Sequence, residues 1–255
     1  MVRTVPLASS FRLPLGGSGT QLSVVHSSDY PEVSVSCAQC KGIVQEFDDR
    51  LARRELRRYR RRGASGTTRI LLDALLEQGV EGRSFLDIGG GVGAVQHGLM
   101  AAGASHGTHV DASPSYLAAA RDEAVRLGHA DRVRYVEGDA VTLAPELDAS
   151  DMVTLDRVVC CYHDMPALVD ASASRARALY GLVFPREHVF MRWGVRVLNL
   201  LQRIRRRPFS VFLHGTAAVE ARVRRHGFRK ILHAHSPLWQ IHLYLKDHGT
   251  APGAS

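Results

Sequence analysis

Hydrophobic and polar positions follow two periods along residues 46–246. Short apolar runs bounded by glycine, proline or polar residues predict buried strands, and apolar residues at helical spacing predict helices between them. The predicted strands are 84–88, 107–111, 133–136, 151–155, 178–185, 228–235 and 238–245. The predicted helices are 46–62, 69–78, one that follows the first strand and ends near 102, 114–127, 165–178, 188–206 and 217–226. This alternation predicts an α/β protein with a mostly parallel sheet.

The two ends of the chain lack this periodicity. Residues 1–35 mix Ser, Gly, Pro and Thr without a repeat, which predicts a flexible N-terminal arm, and 247–255 predict a flexible tail. Between the arm and the main domain, residues 36–66 contain an arginine-rich helix with Phe47 and Leu51 one turn apart. This helix is either a solvated face of the protein or a cap over a ligand.

The most informative stretch joins the first predicted strand to its helix. It reads Asp87-Ile88-Gly89-Gly90-Gly91-Val92-Gly93. Glycines at such a turn let a polar ligand approach backbone N–H groups and a helix N-terminus, because no side chain holds the ligand off. The stretch therefore predicts a nucleotide-type site.

Two ligand classes fit the spacing of the glycines. Gly89, Gly91 and Ala94 match the dinucleotide pattern G-x-G-x-x-G/A, with an acidic residue about 20 positions further on. Asp87 with Gly89, Gly91 and Gly93 instead reads D-x-G-x-G-x-G, which resembles motif I of the class I S-adenosylmethionine-dependent methyltransferases. Asp87 favours the second class, because a carboxylate acceptor suits the cationic amino group of the methionine moiety.

The resemblance extends over about residues 67–246 and implies a Rossmann-like class I methyltransferase fold. Its sheet would have seven mostly parallel strands and end in an antiparallel C-terminal hairpin. The cofactor would be S-adenosylmethionine, with Asp111 accepting the ribose hydroxyls and Asp139-Ala140 meeting the adenine ring. The residues expected to bind the cofactor are Asp87, Gly89, Gly90, Gly91, Gly93, Asp111, Ala112, Asp139, Ala140, Asp156 and Arg157.

Candidate catalytic side chains follow the fourth predicted strand. Tyr162 and His163 are expected at the substrate, and His163 beside Asp164 is a candidate general base because imidazole titrates near neutral pH. His214, expected at the same end of the sheet, is a second candidate. In the structural alternative, Asp164 caps the next helix and His163 is a partly exposed turn residue. A carboxylate acceptor would need no base, and His163 would then only orient or bind it.

Residues 186–213 form a predicted helical insertion over the substrate side. Its helix has an apolar stripe and ends in an arginine cluster at 203–207. Packing into the core of the domain is the commoner fate of such a stripe. The alternatives are contact with a hydrophobic, anionic substrate and peripheral contact with a membrane.

Composition indicates which binding partners and which cellular compartment to expect. The formal net charge of +8 is compatible with nucleic acid, an anionic membrane or an acidic small molecule as a partner. Nearly all of the basic residues are arginine, and the codon usage of a GC-rich genome also produces such an excess of arginine over lysine. No run approaches the roughly 18 apolar residues of a membrane span, and the N-terminus does not resemble a signal peptide, so a cytoplasmic protein is expected.

The four cysteines do not predict a metal site. Cys37-x-x-Cys40 is a weak signal for metal or redox chemistry, and no spacing pairs it with a second ligand pair. Cys160 and Cys161 are expected to be small apolar residues in or near the core.

The main expectation is a methyltransferase for a small, hydrophobic or anionic acceptor, with O-methylation by in-line displacement. The layout is similar to the magnesium-protoporphyrin O-methyltransferase branch in its arginine-rich helix, the position of its glycine motif and the run R-V-V-C-C-Y at 157–162. An RNA methyltransferase is the first alternative, although no N-P-P-Y-like tetrapeptide is present. A non-catalytic scaffold and a NAD-dependent oxidoreductase are further alternatives.

Overall fold

A computed structural model describes residues 38–247 of the protein. Its strands are β1 (Ser84–Ile88), β2 (His106–Asp111), β3 (Val133–Glu137), β4 (Ser150–Asp156), β5 (Ala176–Pro185), β6 (Phe228–His235) and β7 (Trp239–Lys246). Its helices are α1 (Ala38–Glu46), α2 (Asp49–Arg62), α3 (Thr67–Glu77), α4 (Ala94–Ala101), α5 (Pro114–Leu127), α6 (Ala140–Leu143), α7 (Met165–Ala173), α8 (Val189–Ile204) and α9 (Thr216–Arg225).

The strands form one seven-stranded sheet in the order β3-β2-β1-β4-β5-β7-β6. The first five strands in this order are parallel to one another, whereas β7 runs antiparallel to both β5 and β6. The predicted fold class is confirmed, including the antiparallel C-terminal hairpin. The strand order reverses between β1 and β4, and open α/β sheets bind their ligands at such a point, beyond the carboxyl ends of the strands.

Two apolar layers cover the faces of the sheet. One contains Leu168 of α7 and Val219 of α9, and the other contains Leu71 of α3 and Leu99 of α4, all of them buried. A smaller cluster packs Leu56 of α2 against α5, beside the glycine turn. These helices position the loops that follow β1, β2 and β4.

Two predicted helix boundaries are wrong. The helix predicted at 46–62 is divided, because Asp48 caps α2 by accepting a hydrogen bond from the Leu51 N–H at 2.9 Å. The helix predicted at 165–178 ends at Ala173, and Ala176 already pairs with Ser150 of β4. Alanine favours a helix by local propensity, but the strand ladder decides its conformation here.

Helix α8 contradicts the expectation that its apolar stripe packs into the core. Phe190 is 90% exposed and Trp193 62% exposed. Both faces of the sheet are already covered by other helices, so no sheet surface remains for this one. None of the helices in the described part of the chain is long and apolar enough to cross a membrane.

Some predictions concern residues outside the described part. These are the flexible arm at 1–35, the tail at 248–255 and the side chains of Cys37 and Cys40. Within the described residues, no group of three or more His, Cys, Asp or Glu side chains is placed to hold a metal ion.

Candidate active site

A pocket of about 560 Å³ opens beyond the carboxyl ends of β1, β2 and β4. Most of the residues predicted to bind a cofactor lie on its wall, namely Asp87, Gly89, Gly90, Gly91, Asp111, Ala112, Asp139, Ala140, Asp156 and Arg157. The predicted residue Gly93 is the N-cap of α4, close to this wall in sequence but not part of it. One continuous pocket therefore collects predicted cofactor residues that are up to 70 positions apart in the sequence.

The glycine turn depends on backbone conformations that other residues rarely adopt. Gly89, Gly91 and Gly93 have φ values of +60°, +59° and +80°. Gly90 is needed for a different reason, because a Cβ at this position would lie 2.4 Å from Oδ2 of Asp87. The turn leads directly into the N-terminus of α4, whose N-cap offers no side-chain acceptor to the first N–H groups. A polar ligand can therefore approach the backbone closely.

Asp87 borders the pocket, but its side chain is fully buried. Oδ1 accepts a hydrogen bond from Thr154 Oγ1 at 2.7 Å, and Oδ2 has no hydrogen-bond partner within the described residues. Burial raises the pKa of this carboxyl to about 7. Asp87 therefore borders the pocket with one unpartnered carboxylate oxygen, and its expected contact with a methionine amino group stays a prediction.

Asp111 ends β2 with both carboxylate oxygens oriented by the backbone. Oδ2 accepts from the Gly91 N–H at 3.0 Å, and Oδ1 accepts from the Ser113 N–H at 2.8 Å. Each oxygen keeps one further acceptor site, which matches a pair of vicinal hydroxyls. Burial raises the pKa of Asp111 to about 6 despite these hydrogen bonds.

Asp139 and Tyr162 form one hydrogen-bonded unit. The Asp139 side chain caps α6 by accepting from the Val141 N–H at 3.0 Å. The Tyr162 hydroxyl lies 3.0 and 2.9 Å from the two oxygens of the same carboxylate. Tyr162, which was expected at the substrate, lies on the pocket wall, and its hydroxyl orients the Asp139 carboxylate.

The end of β4 holds a charged pair in a constrained backbone. Asp156 accepts hydrogen bonds from Thr68 Oγ1 at 2.5 Å and from Arg157 Nε at 3.2 Å. Arg157 has φ +64°, a left-handed conformation that is uncommon outside glycine, and its N–H donates to the Val183 carbonyl at 2.9 Å. Such strain is often found at functional sites.

The two candidate bases, His163 and His214, do not lie on the pocket wall. The His163 ring is exposed and stacks on Tyr162 with 5.4 Å between ring centroids. Its neighbour Asp164 caps α7 by accepting from the Ala167 N–H at 3.0 Å, as the structural alternative proposed. His214 Nε2 lies 2.8 Å from the Tyr162 carbonyl oxygen, so this nitrogen donates to the backbone. The geometry does not support either histidine as a general base.

Several residues of the wall were not identified from the sequence. Phe47 packs edge-on against Tyr116 and Phe209, with centroids 5.8 and 5.6 Å apart. Its carbonyl accepts from Ser113 Oγ at 2.6 Å, which joins the α1–α2 linker to the loop after β2. Glu55 of α2 also lies on the wall. The apolar helix pattern at 46–62 was the available signal for Phe47, whereas no pattern indicated Phe209.

Helix α8 and the segment after it form an apolar side of the pocket. Met191, Val195 and Leu198 contribute from α8, together with Phe209 and Trp239. The vicinal cysteines lie nearby. Cys160 is buried, as expected of a small apolar residue, and Cys161 is half-buried, with their Sγ atoms 3.9 Å apart.

The donor set fits S-adenosylmethionine. A glycine turn with close backbone approach, a carboxylate oriented for two hydroxyls and a second carboxylate at a helix start are all present on one wall. Fold and site together define a class I α/β methyltransferase.

Comparison with known proteins identifies the same class. Residues 85–180 match the family described as "Methyltransferase domain". This match runs from β1 into β5 and includes the glycine turn, Asp111, Asp139 and Asp156. The family match and the shared fold support a class I methyltransferase, an enzyme with S-adenosylmethionine as its methyl donor. The match favours this class over the oxidoreductase and non-catalytic alternatives.

Solved structures share the fold. Magnesium protoporphyrin IX methyltransferase from Synechocystis PCC 6803 with bound S-adenosylhomocysteine is 16% identical, with a TM-score of 0.57 over 80% of this chain and 85% of that chain. An O-methyltransferase family protein from Burkholderia thailandensis is 16% identical, with a TM-score of 0.61 over 82% and 64%. A complex of the Haloferax volcanii Trm112 methyltransferase activator with a methyltransferase matches at 15% identity and a TM-score of 0.61, over 81% and 98%. No curated protein sequence matches the chain.

Proposed function

We propose that the enzyme methylates an oxygen of a small hydrophobic molecule. The observation that carries this proposal is the composition of the pocket, in which the cofactor-side carboxylates share one cavity with the apolar side formed by α8. An apolar wall that excludes water favours a hydrophobic acceptor. Of the two acceptor properties expected from the sequence, hydrophobic and anionic, the wall mainly supports the first.

The proposed cofactor contacts follow from the orientation of the donors. Asp111 would accept the ribose hydroxyls, and Asp139 with the Ala140 N–H would meet the adenine ring. The glycine turn at 89–93 would approach the methionine moiety, and Asp156 with Arg157 would lie beside it. When bound, S-adenosylmethionine supplies an electrophilic methyl group on a good leaving group.

The chemistry requires little from protein side chains. The acceptor oxygen forms a bond to the methyl carbon while the carbon–sulfur bond breaks, and S-adenosylhomocysteine leaves with the electron pair. Since neither His163 nor His214 is on the wall, we propose an acceptor oxygen that is ionised at neutral pH, such as a carboxylate or an acidic phenol. Arg157 is the one Arg or Lys among the described wall residues and would attract that oxygen. Positioning and exclusion of water then supply most of the catalysis.

The division of the chain is part of the same proposal. Residues 67–246 would form the methyltransferase domain, 36–66 its cap and 186–213 the insertion that selects the acceptor. Phe47, Glu55 and the α8 side chains on the wall support these two roles. The cytoplasmic location expected from the sequence stays a prediction.

Ligand-dependent thermal unfolding tests the proposed cofactor site. S-adenosylmethionine or S-adenosylhomocysteine at 100 times its dissociation constant should stabilise the protein by about 2.7 kcal/mol. Asp111→Ala should abolish this shift, whereas Asp148→Ala, at an exposed position away from the wall, should retain it. A shift with both variants contradicts the assignment of Asp111, and a shift with NADH alone contradicts S-adenosylmethionine as the cofactor.

The acceptor is tested separately with labelled S-adenosylmethionine. Hydrophobic carboxylic acids and acidic phenols should be methylated, and neutral polar alcohols should not. RNA is the second candidate acceptor, because α2 exposes several arginines, among them Arg54, Arg57 and Arg58. Methylation of RNA, with binding that weakens steeply as salt is raised, would replace the small-molecule proposal.

A further inference from the structure

Helix α8 has an outer apolar face in addition to the face that lines the pocket. Within residues 42–247, eight of the twelve exposed large hydrophobic side chains belong to this one helix. Those that do not line the pocket are Val189, Phe190, Trp193, Val197, Leu200, Leu201 and Ile204. Exposure of a contiguous apolar face on this scale marks an interaction surface.

Arginines border this outer face. Arg196 and Arg203 are seven positions apart on one edge of α8, and Arg206 and Arg207 follow the end of the helix. Together with Leu200 they line a shallow cavity of about 600 Å³. Arg207 pairs with Glu46 at 2.9 Å. No carboxylate in the described part of the chain pairs with Arg196, Arg203 or Arg206, so the cavity carries uncompensated positive charge.

We propose that the outer face of α8, with Arg196, Arg203 and Arg206, docks on an anionic lipid bilayer. A helix with an apolar face and a basic edge lies in the plane of the interface, with its apolar side chains among the acyl chains. Exposed Phe190 and Trp193 suit the headgroup boundary, where aromatic residues are enriched. Arginine binds phosphate through paired hydrogen bonds and stays charged when partly desolvated.

The charge distribution disfavours a second copy of the chain as the occupant. A two-fold contact through this face would bring the same patch of both copies together, and with it their unpaired arginines. Like charges at close range oppose such a contact. The cation–π contact of Arg196 with the Trp193 ring, at 5.8 Å, keeps a positive charge directly on the apolar face.

Docking would place the pocket at the membrane surface. Met191, Val195 and Leu198 line the pocket from the same helix whose outer face would enter the headgroup layer. A hydrophobic acceptor dissolved in the bilayer would then be near its site. This consequence rests on the proposed acceptor, whereas the docking itself does not.

Vesicle sedimentation with the full-length protein tests the docking. The protein should sediment with vesicles of equal parts phosphatidylglycerol and phosphatidylcholine, and much less with phosphatidylcholine alone. Each arginine near an anionic surface strengthens binding about fivefold, so the triple variant R196Q/R203Q/R206Q should weaken it on the order of 100-fold. The matched variant R54Q/R57Q/R58Q removes the same charge from α2 and should stay within about threefold of wild type.

A second measurement reports on the apolar face. Trp193 emission should shift to the blue when anionic vesicles are added, and Trp193→Phe should remove that shift. The variant F190S/W193S should lose vesicle binding but keep its thermal shift with S-adenosylhomocysteine, which shows that it is folded. This cofactor shift also separates failure of the docking from failure of the proposed methyltransferase site.

Four results would overturn the proposal. The first is that the protein does not sediment with anionic vesicles. The second is that the two triple arginine variants weaken vesicle binding equally, which would indicate that net charge alone causes the binding. The third is that sedimentation velocity detects a dimer that the F190S/W193S substitutions dissociate, because a second copy would then cover the outer face of α8. The fourth is that R196Q/R203Q/R206Q loses binding to RNA but keeps its binding to vesicles.

Discussion

Asp87 shows at the scale of one residue how burial changes the role of a motif side chain. The sequence places it two positions before the first glycine, where a charged acceptor was expected. In the fold, Thr154 and Gly90 enclose its carboxyl, and burial raises its pKa to about 7. The residue therefore supports the glycine turn from behind and is partly protonated near neutral pH.

This raised pKa makes a prediction for Asp87→Asn. Between the unfolded value near 3.8 and the folded value of about 7, the folded carboxyl keeps a proton that the unfolded chain releases. The contribution of Asp87 to the stability of the wild type therefore falls by about 1.4 kcal/mol per pH unit as pH rises through this window, and the variant lacks this contribution. Urea unfolding of both proteins at pH 5, 6 and 7 measures the difference. A difference that does not change with pH would show that the Asp87 carboxyl is ionised throughout.

The glycine turn is the element that the sequence predicted best, because its geometry is local. Its positive φ values follow from the residue type, and the helix start follows from the end of the apolar strand. The seven-stranded, mostly parallel sheet and its closing hairpin were also predicted, through periodicity and the family resemblance. The break between α1 and α2 at Asp48 was not predicted, because the apolar stripe continues past this capping residue.

Steric crowding at the turn predicts the effect of Gly90→Ala. The added Cβ would lie 2.4 Å from Asp87 Oδ2 and 2.6 Å from His109 Cε1, both in the buried interior. Overpacking of this kind costs about 1–3 kcal/mol, and the displaced turn should also weaken cofactor binding. Gly194→Ala is the matched control, because its Cβ meets nothing within 4 Å and alanine favours the helix. Equal stability of the two variants in urea would contradict the crowding.

For the whole molecule, buried ionisable groups predict that stability rises with pH up to about 7 and then levels off. Burial lowers the pKa of His97 to about 4, of His109 to about 3 and of His242 to about 4. Each of these histidines therefore makes the folded protein less stable as pH falls below 6.5. Asp87 and Asp111, raised to about 7 and 6, act in the opposite direction. Three histidines outweigh two carboxyls up to about pH 7, and above pH 7 the remaining contributions of the histidines and of Asp87 nearly cancel.

Thermal unfolding between pH 4.5 and 8 measures this profile. The melting temperature should rise up to about pH 7 and then level off. A melting temperature that still rises from pH 7 to pH 8 would contradict the assignment of neutral, buried histidines and a protonated Asp87.

Local information in the sequence determined the succession of strands and helices, the glycine turn and the residue types at the ends of the strands. Periodicity, glycine conformation and capping act over a few neighbouring residues, so they can be read without a fold. The partners of those side chains depend on contacts across long separations, such as Tyr162 with Asp139 and Thr68 with Asp156. The outward face of α8 was likewise decided by tertiary structure, because other helices already cover the sheet.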